Sequence, residues 1–195
     1  MKATTRTVAN SHNNGELFAN IFRARTQSFI IQNKWDLPKV MDREFDQYDT
    51  PQSRWIAVHH LGEVMAGVRL TPTTARCGIY SYMIRDAQMG LLETIPQDLL
   101  FENAPVAPHV WEVTRGFVAH NIPSTIRRKV HTRLVMEMVR ASRAEGINQM
   151  VALLPSNWSR WAKRCALDMA PAGRVMDMGG INYQAVSLDF TAHLH

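Results

Sequence analysis

Residues 110–119, Val-Trp-Glu-Val-Thr-Arg-Gly-Phe-Val-Ala, form the most strand-like stretch of the chain, yet they include two charged residues. Valine, tryptophan and phenylalanine all favour β-strands. Because side chains alternate between the faces of a strand, Arg115 lies on one face, with Glu112 and Thr114 on the other. A guanidinium stays charged in proteins, so its burial without a partner costs several kcal/mol. This stretch therefore predicts a central strand that borders a polar site.

Two further arginines occupy similarly apolar positions. Residues 16–32 have helical spacing, and Arg25 shares one stripe of that helix with three phenylalanines. Arg69 lies in a predicted strand at residues 64–70. An acidic, aromatic segment at residues 43–49 follows the helix and supplies carboxylates that could pair with these arginines.

Two interpretations of these charges remain open. Arg25, Arg69 and Arg115 could form a buried ion network with Asp46, Asp49 and Glu112 that serves only the fold. Alternatively, the charges could surround a ligand. A buried ion network is weak evidence of stabilisation, and apolar residues would usually serve as well, so three arginines on separate elements favour a ligand site.

The remaining elements predict a mixed α/β domain that spans residues 1–195. Residues 54–60 and 64–70 form a hairpin around a tight turn at residues 61–63, and Ser124 or Thr125 caps a helix that reaches Gly146. Short helical turns are predicted at residues 81–100 and a helix at residues 157–167. Two further strands are predicted at residues 147–154 and 183–190.

Composition excludes several classes of protein. The chain has 195 residues, 46% of them hydrophobic, with 22 Lys and Arg against 17 Asp and Glu. It is long enough for one buried core, and no apolar run reaches the roughly 18 residues of a membrane helix. We expect a cytoplasmic protein with two reduced cysteines and no metal site. The glycine-rich loops GxGxxG and GxxxxGK[ST] are both missing, so nothing indicates a bound nucleotide cofactor.

Four segments together resemble the autoinducer synthase family, the N-acyl-homoserine lactone synthases. They are Arg25, Phe29 and Trp35 with their spacing; residues 45–49; residues 67–73; and residues 111–115. The resemblance runs in order from about Phe18 to Val118. It implies a fold similar to the N-acetyltransferases, namely a curved mixed sheet with a central cleft and helices on both faces. It also implies an enzyme of quorum signalling with two substrates, S-adenosylmethionine and an acyl group carried as a thioester on acyl carrier protein.

The resemblance also implies a role for each site residue. The catalytic residues are Glu112, as proton acceptor, and Arg115. Thr114, Met150 and Ala152 border the acyl or pantetheine portion, although a plain strand threonine and ordinary core packing are equally compatible with these residue types. The S-adenosylmethionine pocket is lined by Arg25, Phe29, Trp35, Asp46, Asp49 and Arg69.

Basic side chains on two predicted helices suggest a docking surface for the acidic carrier protein. These residues are Lys129, Arg133, Arg160, Lys163 and Arg164. An ordinary solvated helix face explains such stripes as well. The main alternative function is an acyl-CoA-dependent N-acyltransferase of the same fold acting on a different amine. Residues 122–125 lack the glycines with which acetyltransferases bind coenzyme A, and no nucleic-acid-binding motif is present.

Overall fold

The computed structural model describes residues 1–8, 10 and 15–190. The chain forms two compact units. The first comprises Met1–Leu70 and Arg115–Arg140, and the second comprises Thr71–Thr114 and Ala141–His195. That residues 1–195 form a single domain stays a prediction.

The first unit is built on antiparallel strands. Strand β1 (Lys2–Arg6) pairs with β4 (Arg54–His60), and β4 pairs with β5 (Glu63–Pro72). The predicted hairpin is confirmed, with its turn at Leu61 and Gly62, whose φ angles of 48° and 87° lie in the left-handed region. Glycine adopts such a conformation readily, which suits a two-residue hairpin turn.

A long helical segment covers one face of these strands. Helix α1 (Gly15–Arg25) continues without a break as a π-helix over Thr26–Gln32, which confirms the predicted helix and adds a local change of pitch. Its apolar stripe packs on β4 and β5. The resulting buried cluster contains Leu17, Ile21, Phe22, Phe29, Trp55, Ala57, Val64 and Phe117.

Helix α3 (Ser124–Glu145) lies on the opposite face of β1. Thr5 Oγ1 donates a hydrogen bond to Glu137 of this helix at 2.9 Å, whereas Thr4, one residue earlier, points to the other face. Helices therefore cover both faces of the strands in the first unit. The predicted cap is wrong: Ser124 is already helical, and the carbonyl of Pro123 accepts the N–H groups of Ile126 and Arg127, so the helical hydrogen bonds begin at Pro123.

In the second unit, the predicted strand at residues 110–119 is confirmed as β6 (Val110–Val118), which crosses from the second unit into the first. It pairs in parallel with β7 (Gln149–Pro155) from Val110 to Val113. Strand β7 continues beside the antiparallel β9 (Ile181–Asp189) as far as Pro155. Arg115, in the middle of β6, has a φ of 54°, so the strand departs from regular geometry there.

Three elements complete the set of longer strands and helices. Strand β8 (Asp168–Met178) pairs with β9 around the turn Gly179-Gly180, and it is absent from the elements that the sequence predicts. Helices α2 (Met83–Gln88) and α4 (Trp158–Cys165) belong to the same unit. A two-residue hairpin, β2 (Lys39–Val40) and β3 (Arg43–Glu44), belongs to the first unit. Parallel and antiparallel pairs together confirm the mixed α/β class.

Gly173 generates a prediction about the second unit. A Cβ at this position in β8 would overlap the carbonyl oxygen of Leu99, which is backbone and cannot rotate away. We expect Gly173→Ala to lower the free energy of unfolding by about 1–3 kcal/mol in chemical denaturation, because the chain must move to accept one methyl group. Gly15→Ala is the matched control, since none of the residues that the structure describes lies within 4 Å of a Cβ there. Equal stability of the two variants would contradict this packing.

Candidate active site

Six charged side chains of the first unit form a closed ring in which positive and negative groups alternate. Each arginine contacts two carboxylates, and each carboxylate contacts two arginines. In order around the arginine–carboxylate ring the members are Arg25, Glu44, Arg115, Asp46, Arg69 and Asp49.

Arg25 makes the shortest set of contacts in the ring. Its Nε donates to Glu44 Oε2 at 2.5 Å. Its two terminal nitrogens donate to the two oxygens of Asp49 at 2.6 and 2.9 Å, the forked geometry that suits guanidinium and carboxylate. The guanidinium also lies 5.0 Å from the ring centre of Phe22. Arg25 therefore fixes both the short strand β3 and the loop that follows it to helix α1.

The other two arginines close the ring from strands β5 and β6. Arg69 donates to Asp46 at 2.5 Å and lies 3.0 Å from Asp49. Arg115 donates to Glu44 from Nε at 3.2 Å and to Asp46 from a terminal nitrogen at 2.7 Å. The ring thus joins α1, β3, the loop after β3, β5 and β6 at one point.

The loop carrying Asp46 and Asp49 is folded by its own hydrogen bonds. Asp46 accepts the N–H of Tyr48 at 2.9 Å, an Asx turn, and its own N–H donates to Asp49 at 3.0 Å. The indole N–H of Trp55 on β4 donates to Asp49 at 2.9 Å. These short-range bonds hold both carboxylates in place for the arginines.

The three arginine side chains of the ring differ in their exposure to solvent. The side chains of Arg25 and Arg69 are 1% and 0% exposed, whereas that of Arg115 is 12% exposed.

Burial by itself raises the pKa of Asp49, but the charges of Arg69 and Arg25 outweigh it and hold that pKa well below its ordinary value. Burial likewise lowers the pKa of Arg25, and Asp49 more than offsets this effect.

An aromatic pair lies beside the partly exposed member of the ring. Phe29 and Trp35 stack with ring centres 5.2 Å apart and planes 9° apart. Phe117 meets Phe29 edge-on at 5.9 Å, and the guanidinium of Arg115 lies 5.7 Å from the centre of Phe29. Phe29 is buried and Trp35 is half-buried, so Trp35 and Arg115 present the accessible surface of this group.

The structure corrects one part of the sequence interpretation. The sequence predicts Glu112 as the third carboxylate of the arginine network, but in the structure that carboxylate is Glu44. Glu44 was missed as a member because its two-residue strand gives no periodic signal. Its position between Arg43 and Phe45, in the acidic segment, was the only available hint.

Glu112 instead anchors helix α2 within the second unit. It is fully buried, and its carboxylate accepts the N–H groups of Met83 at 3.1 Å and Ile84 at 2.7 Å. These N–H groups belong to the first helical turn, which has no intrahelical acceptors for them. Tyr82, beside them, donates to the carbonyl of Pro105 at 2.6 Å, and burial followed by the nearby Glu112 raises the pKa of its phenol.

Predicted acyl-contact residues occupy two faces of the β6–β7 pair. Trp111 lies opposite Met150, and Val113 lies opposite Ala152, so Met150 and Ala152 share one face. Thr114 follows Val113 and points to the other face. All three predicted residues are buried, with Met150 at 0% and Ala152 at 1% exposure. The structure therefore does not bring Thr114 onto the same face as the other two.

All five predicted carrier-docking side chains are exposed. They belong to α3, which contributes Lys129 and Arg133, and to α4, which contributes Arg160, Lys163 and Arg164.

A polar groove of about 540 Å³ also occurs in the first unit, and no predicted site residue lines it. Gln27 and Gln32 border it on the helical side, and Glu63 and His120 border it on the strand side.

Within the described ranges, no group of three or more His, Cys, Asp or Glu side chains is arranged to hold a metal ion. No helix in this part of the chain is long and apolar enough to cross a membrane.

The ring predicts a specific dependence of stability on pH. Because the pKa of Asp49 is lower in the folded than in the unfolded chain, its stabilisation is present above about pH 4 and is lost as the pH falls further. We expect Asp49→Asn to lower the free energy of unfolding at pH 7 by about 3–5 kcal/mol, since it leaves two buried arginines undercompensated. Measured between pH 7 and pH 2, the difference from the unsubstituted protein should shrink as the pH falls.

Asp42→Asn is the matched control for that series. Asp42 also pairs with an arginine, Arg23, at 2.7 Å, but its side chain is 58% exposed. We expect this variant to unfold almost like the unsubstituted protein at every pH, because exposed ion pairs contribute little. A similar loss of stability in both variants would contradict the special role of the ring.

Comparison with known proteins identifies the family. A family model described as autoinducer synthase matches residues 9–193. An acyl-homoserine-lactone synthase of Pseudomonas aeruginosa strain PAO1 is 33% identical over 102 residues, which cover 51% of this chain and 44% of that protein. Another, from Aeromonas salmonicida, is 26% identical over 176 residues, which cover 87% of this chain and 79% of that protein. The chain thus spans less than half of the first relative and about four-fifths of the second.

Solved structures show the same fold. A CoA-dependent acyl-homoserine lactone synthase, BjaI, solved with SAM and isopentyl-CoA, gives a TM-score of 0.78 at 21% identity and covers 97% of this chain and 84% of that one. An acyl-CoA N-acyltransferase from Pseudomonas aeruginosa gives a TM-score of 0.59 at 13% identity. The match covers 96% of this chain and 99% of that one. The predicted N-acyltransferase-like α/β fold is confirmed. The chain therefore belongs to the autoinducer synthase family, the acyl-homoserine-lactone synthases, as its four sequence segments predicted.

Proposed function

We propose that this chain N-acylates S-adenosylmethionine from an acyl thioester on acyl carrier protein and then closes the lactone, releasing methylthioadenosine. The observation that carries the proposal is the partly exposed Arg115, held by two carboxylates beside the Phe29–Trp35 stack. It offers a cation and an aromatic surface together. S-adenosylmethionine requires such a combination, because it carries a carboxylate, an ammonium and a sulfonium close together.

Different ring members have different roles in this proposal. The charges of Arg25, Arg69, Asp46 and Asp49 are satisfied within the ring, and these side chains are buried. They orient Arg115 and balance the local charge, so they support the S-adenosylmethionine site from behind. Trp35 supplies an aromatic face to the sulfonium, a contact that contributes about 0.5–2 kcal/mol. Arg115 attracts the substrate carboxylate.

The first chemical step is attack of the substrate amine on the thioester carbonyl. The α-ammonium loses its proton, the nitrogen forms a bond to the carbonyl carbon, and the carbon–sulfur bond of the thioester breaks to release the carrier thiol. An α-ammonium with a pKa near 8 costs only about 1.4 kcal/mol to deprotonate at neutral pH, so a strongly perturbed base is unnecessary. Correct placement of the two substrates contributes more, about 7–11 kcal/mol.

Glu112 is our candidate for the proton acceptor, directly or through a water molecule. The N–H groups of Met83 and Ile84 donate to its carboxylate and hold it in one orientation. A carboxylate fixed in this way suits a general base. Backbone N–H groups of residues 111–117, where β6 changes geometry at Arg115, are proposed to stabilise the thioester oxyanion.

Lactone closure completes the reaction. One oxygen of the substrate carboxylate attacks the γ-carbon, and the bond between that carbon and the sulfonium sulfur breaks. The sulfur leaves as neutral methylthioadenosine, so no further proton transfer is needed. Because both groups belong to one molecule, the enzyme needs mainly to hold the bent conformation.

Two acyl donors share the thioester chemistry. The five exposed basic side chains on α3 and α4 support the acidic carrier protein, because charge complementarity speeds encounter and weakens with salt. Thr114, Met150 and Ala152 stay our candidates for contact with the acyl or pantetheine portion. The likeness to BjaI, described as CoA-dependent, supports coenzyme A as the alternative donor. An N-acyltransferase acting on another amine is the alternative function, supported by the fold shared with such an enzyme.

A donor panel tests the proposal directly. Purified protein is incubated with S-adenosylmethionine and with acyl carrier protein or coenzyme A thioesters of several chain lengths, and both products are quantified. We expect methylthioadenosine and acyl-homoserine lactone in equal amounts, with faster turnover on the carrier and a rate that falls as salt rises. Acylation of a different amine without methylthioadenosine would establish the alternative function.

Glu112→Gln tests the proton acceptor. We expect amide formation to slow by about 10²–10⁴-fold, the usual contribution of general base catalysis, with S-adenosylmethionine affinity changed only a few-fold. Asp86→Asn is the matched control, because Asp86 is also buried and anchors the same helix by accepting the N–H and hydroxyl of Ser81. If both variants lose activity and affinity equally, Glu112 acts through the structure of α2.

A further inference from the structure

Buried polar atoms without partners cluster on one face of the β1–β4 pair. In this antiparallel register the side chains of Lys2, Thr4 and Arg6 share a face with His59. The atoms Thr4 Oγ1, Arg6 Nε and His59 Nε2 are buried, and no hydrogen bond to them occurs within residues 1–8, 10 and 15–190. Such groups in a native protein point to a bound ion or water. We refer to these four side chains as the cationic face.

The charges around these atoms are positive. No salt bridge joins Lys2 or Arg6 to a carboxylate in the part of the chain that the structure describes. Glu63, on β5, lies opposite His60 and accepts a hydrogen bond from Asn121. Burial, and then Arg6, Lys2 and the amino group of Met1, lower the pKa of His59. An anion placed here would relieve this repulsion.

Helix α1 begins over the same face. Leu17, in its first turn, packs in one cluster with Trp55 and Ala57 of β4, the strand that carries His59. The first N–H groups of a helix and its dipole attract anions. Glu16 is exposed in that turn, and among the described residues nothing lies within 4 Å of a Cβ placed on Gly15.

We propose that the cationic face binds a phosphate group, with Arg6, His59 and Thr4 as hydrogen-bond donors and Lys2 as an additional positive charge. Guanidinium, imidazole and hydroxyl donors suit the several oxygens of a phosphate, and its double negative charge matches the cations around it. This site is separate from the arginine–carboxylate ring and does not depend on the proposed reaction. Free inorganic phosphate and the phosphate of a nucleotide share this chemistry.

A pH titration of His59 by proton NMR tests this site. At constant ionic strength, we expect inorganic phosphate to raise the pKa of His59. Replacing phosphate by chloride should have no such effect. In a parallel titration, tighter binding of AMP than of inorganic phosphate would identify a nucleotide as the source of the bound phosphate group. Tighter or equal binding of inorganic phosphate would identify the free ion.

Arg6→Gln provides the decisive variant. Loss of one charge-assisted donor should weaken phosphate affinity about ten- to a hundredfold. Arg43→Gln is the control, because Arg43 is exposed in the β2–β3 hairpin, and it should bind phosphate like the unsubstituted protein. If Arg6→Gln destabilises the fold, His59→Gln offers a second readout: it should abolish the rise in Tm that phosphate causes. An unshifted His59, or variants that bind phosphate normally, would overturn the proposal.

Discussion

The need to neutralise three guanidiniums, those of the buried Arg25 and Arg69 and the partly exposed Arg115, governs the first unit. Arginine cannot discharge in a protein, and an uncompensated buried charge costs several kcal/mol. The chain meets this requirement with three carboxylates, each shared by two arginines, so that no member of the ring can move independently. Helix α1, strands β3, β5 and β6, and the loop after β3 all meet at the ring. Its geometry therefore sets the position of Arg115, and the fold and the candidate site share one electrostatic constraint.

Two stretches of irregular backbone lie at the ring. Arg115 has a φ of 54°, a conformation that costs a non-glycine residue about 1–3 kcal/mol. Glu44 and Asp46 hold its guanidinium from two sides, and Phe29 lies beneath it, so the surrounding structure fixes the strained residue. The π-helix that carries Phe29 follows directly after Arg25. Arg115 is itself a member of the ring, and the π-helix begins one residue after another member, Arg25.

How far the sequence predicts this arrangement depends on the range of each interaction. Arg25, Arg69 and Arg115 stand out because a charge in an apolar pattern needs a partner, and the four segments indicate the family. Glu44 gives a weaker signal, because it lies in the two-residue strand β3, which has no periodicity, although it belongs to the same acidic segment as Asp46 and Asp49. Glu112 lies in the strongest strand pattern, but its partners are backbone N–H groups, which no residue type reveals. Strand β8 contains Pro171 and Gly173, which weaken a strand pattern, although Gly179-Gly180 was a usable turn signal.

The ring also determines where the net charge of the protein acts. Its three positive and three negative groups cancel, so the whole surplus of five positive charges belongs to residues outside it. Exposed side chains on α3 and α4 contribute to that surplus, and so do Lys2 and Arg6 on β1. Buried pairs are screened little by salt, whereas exposed charges lose most of their effect beyond a Debye length of about 8 Å at physiological salt. Raising the ionic strength should therefore weaken the approach of anionic partners while the ring, and the position of Arg115, persist.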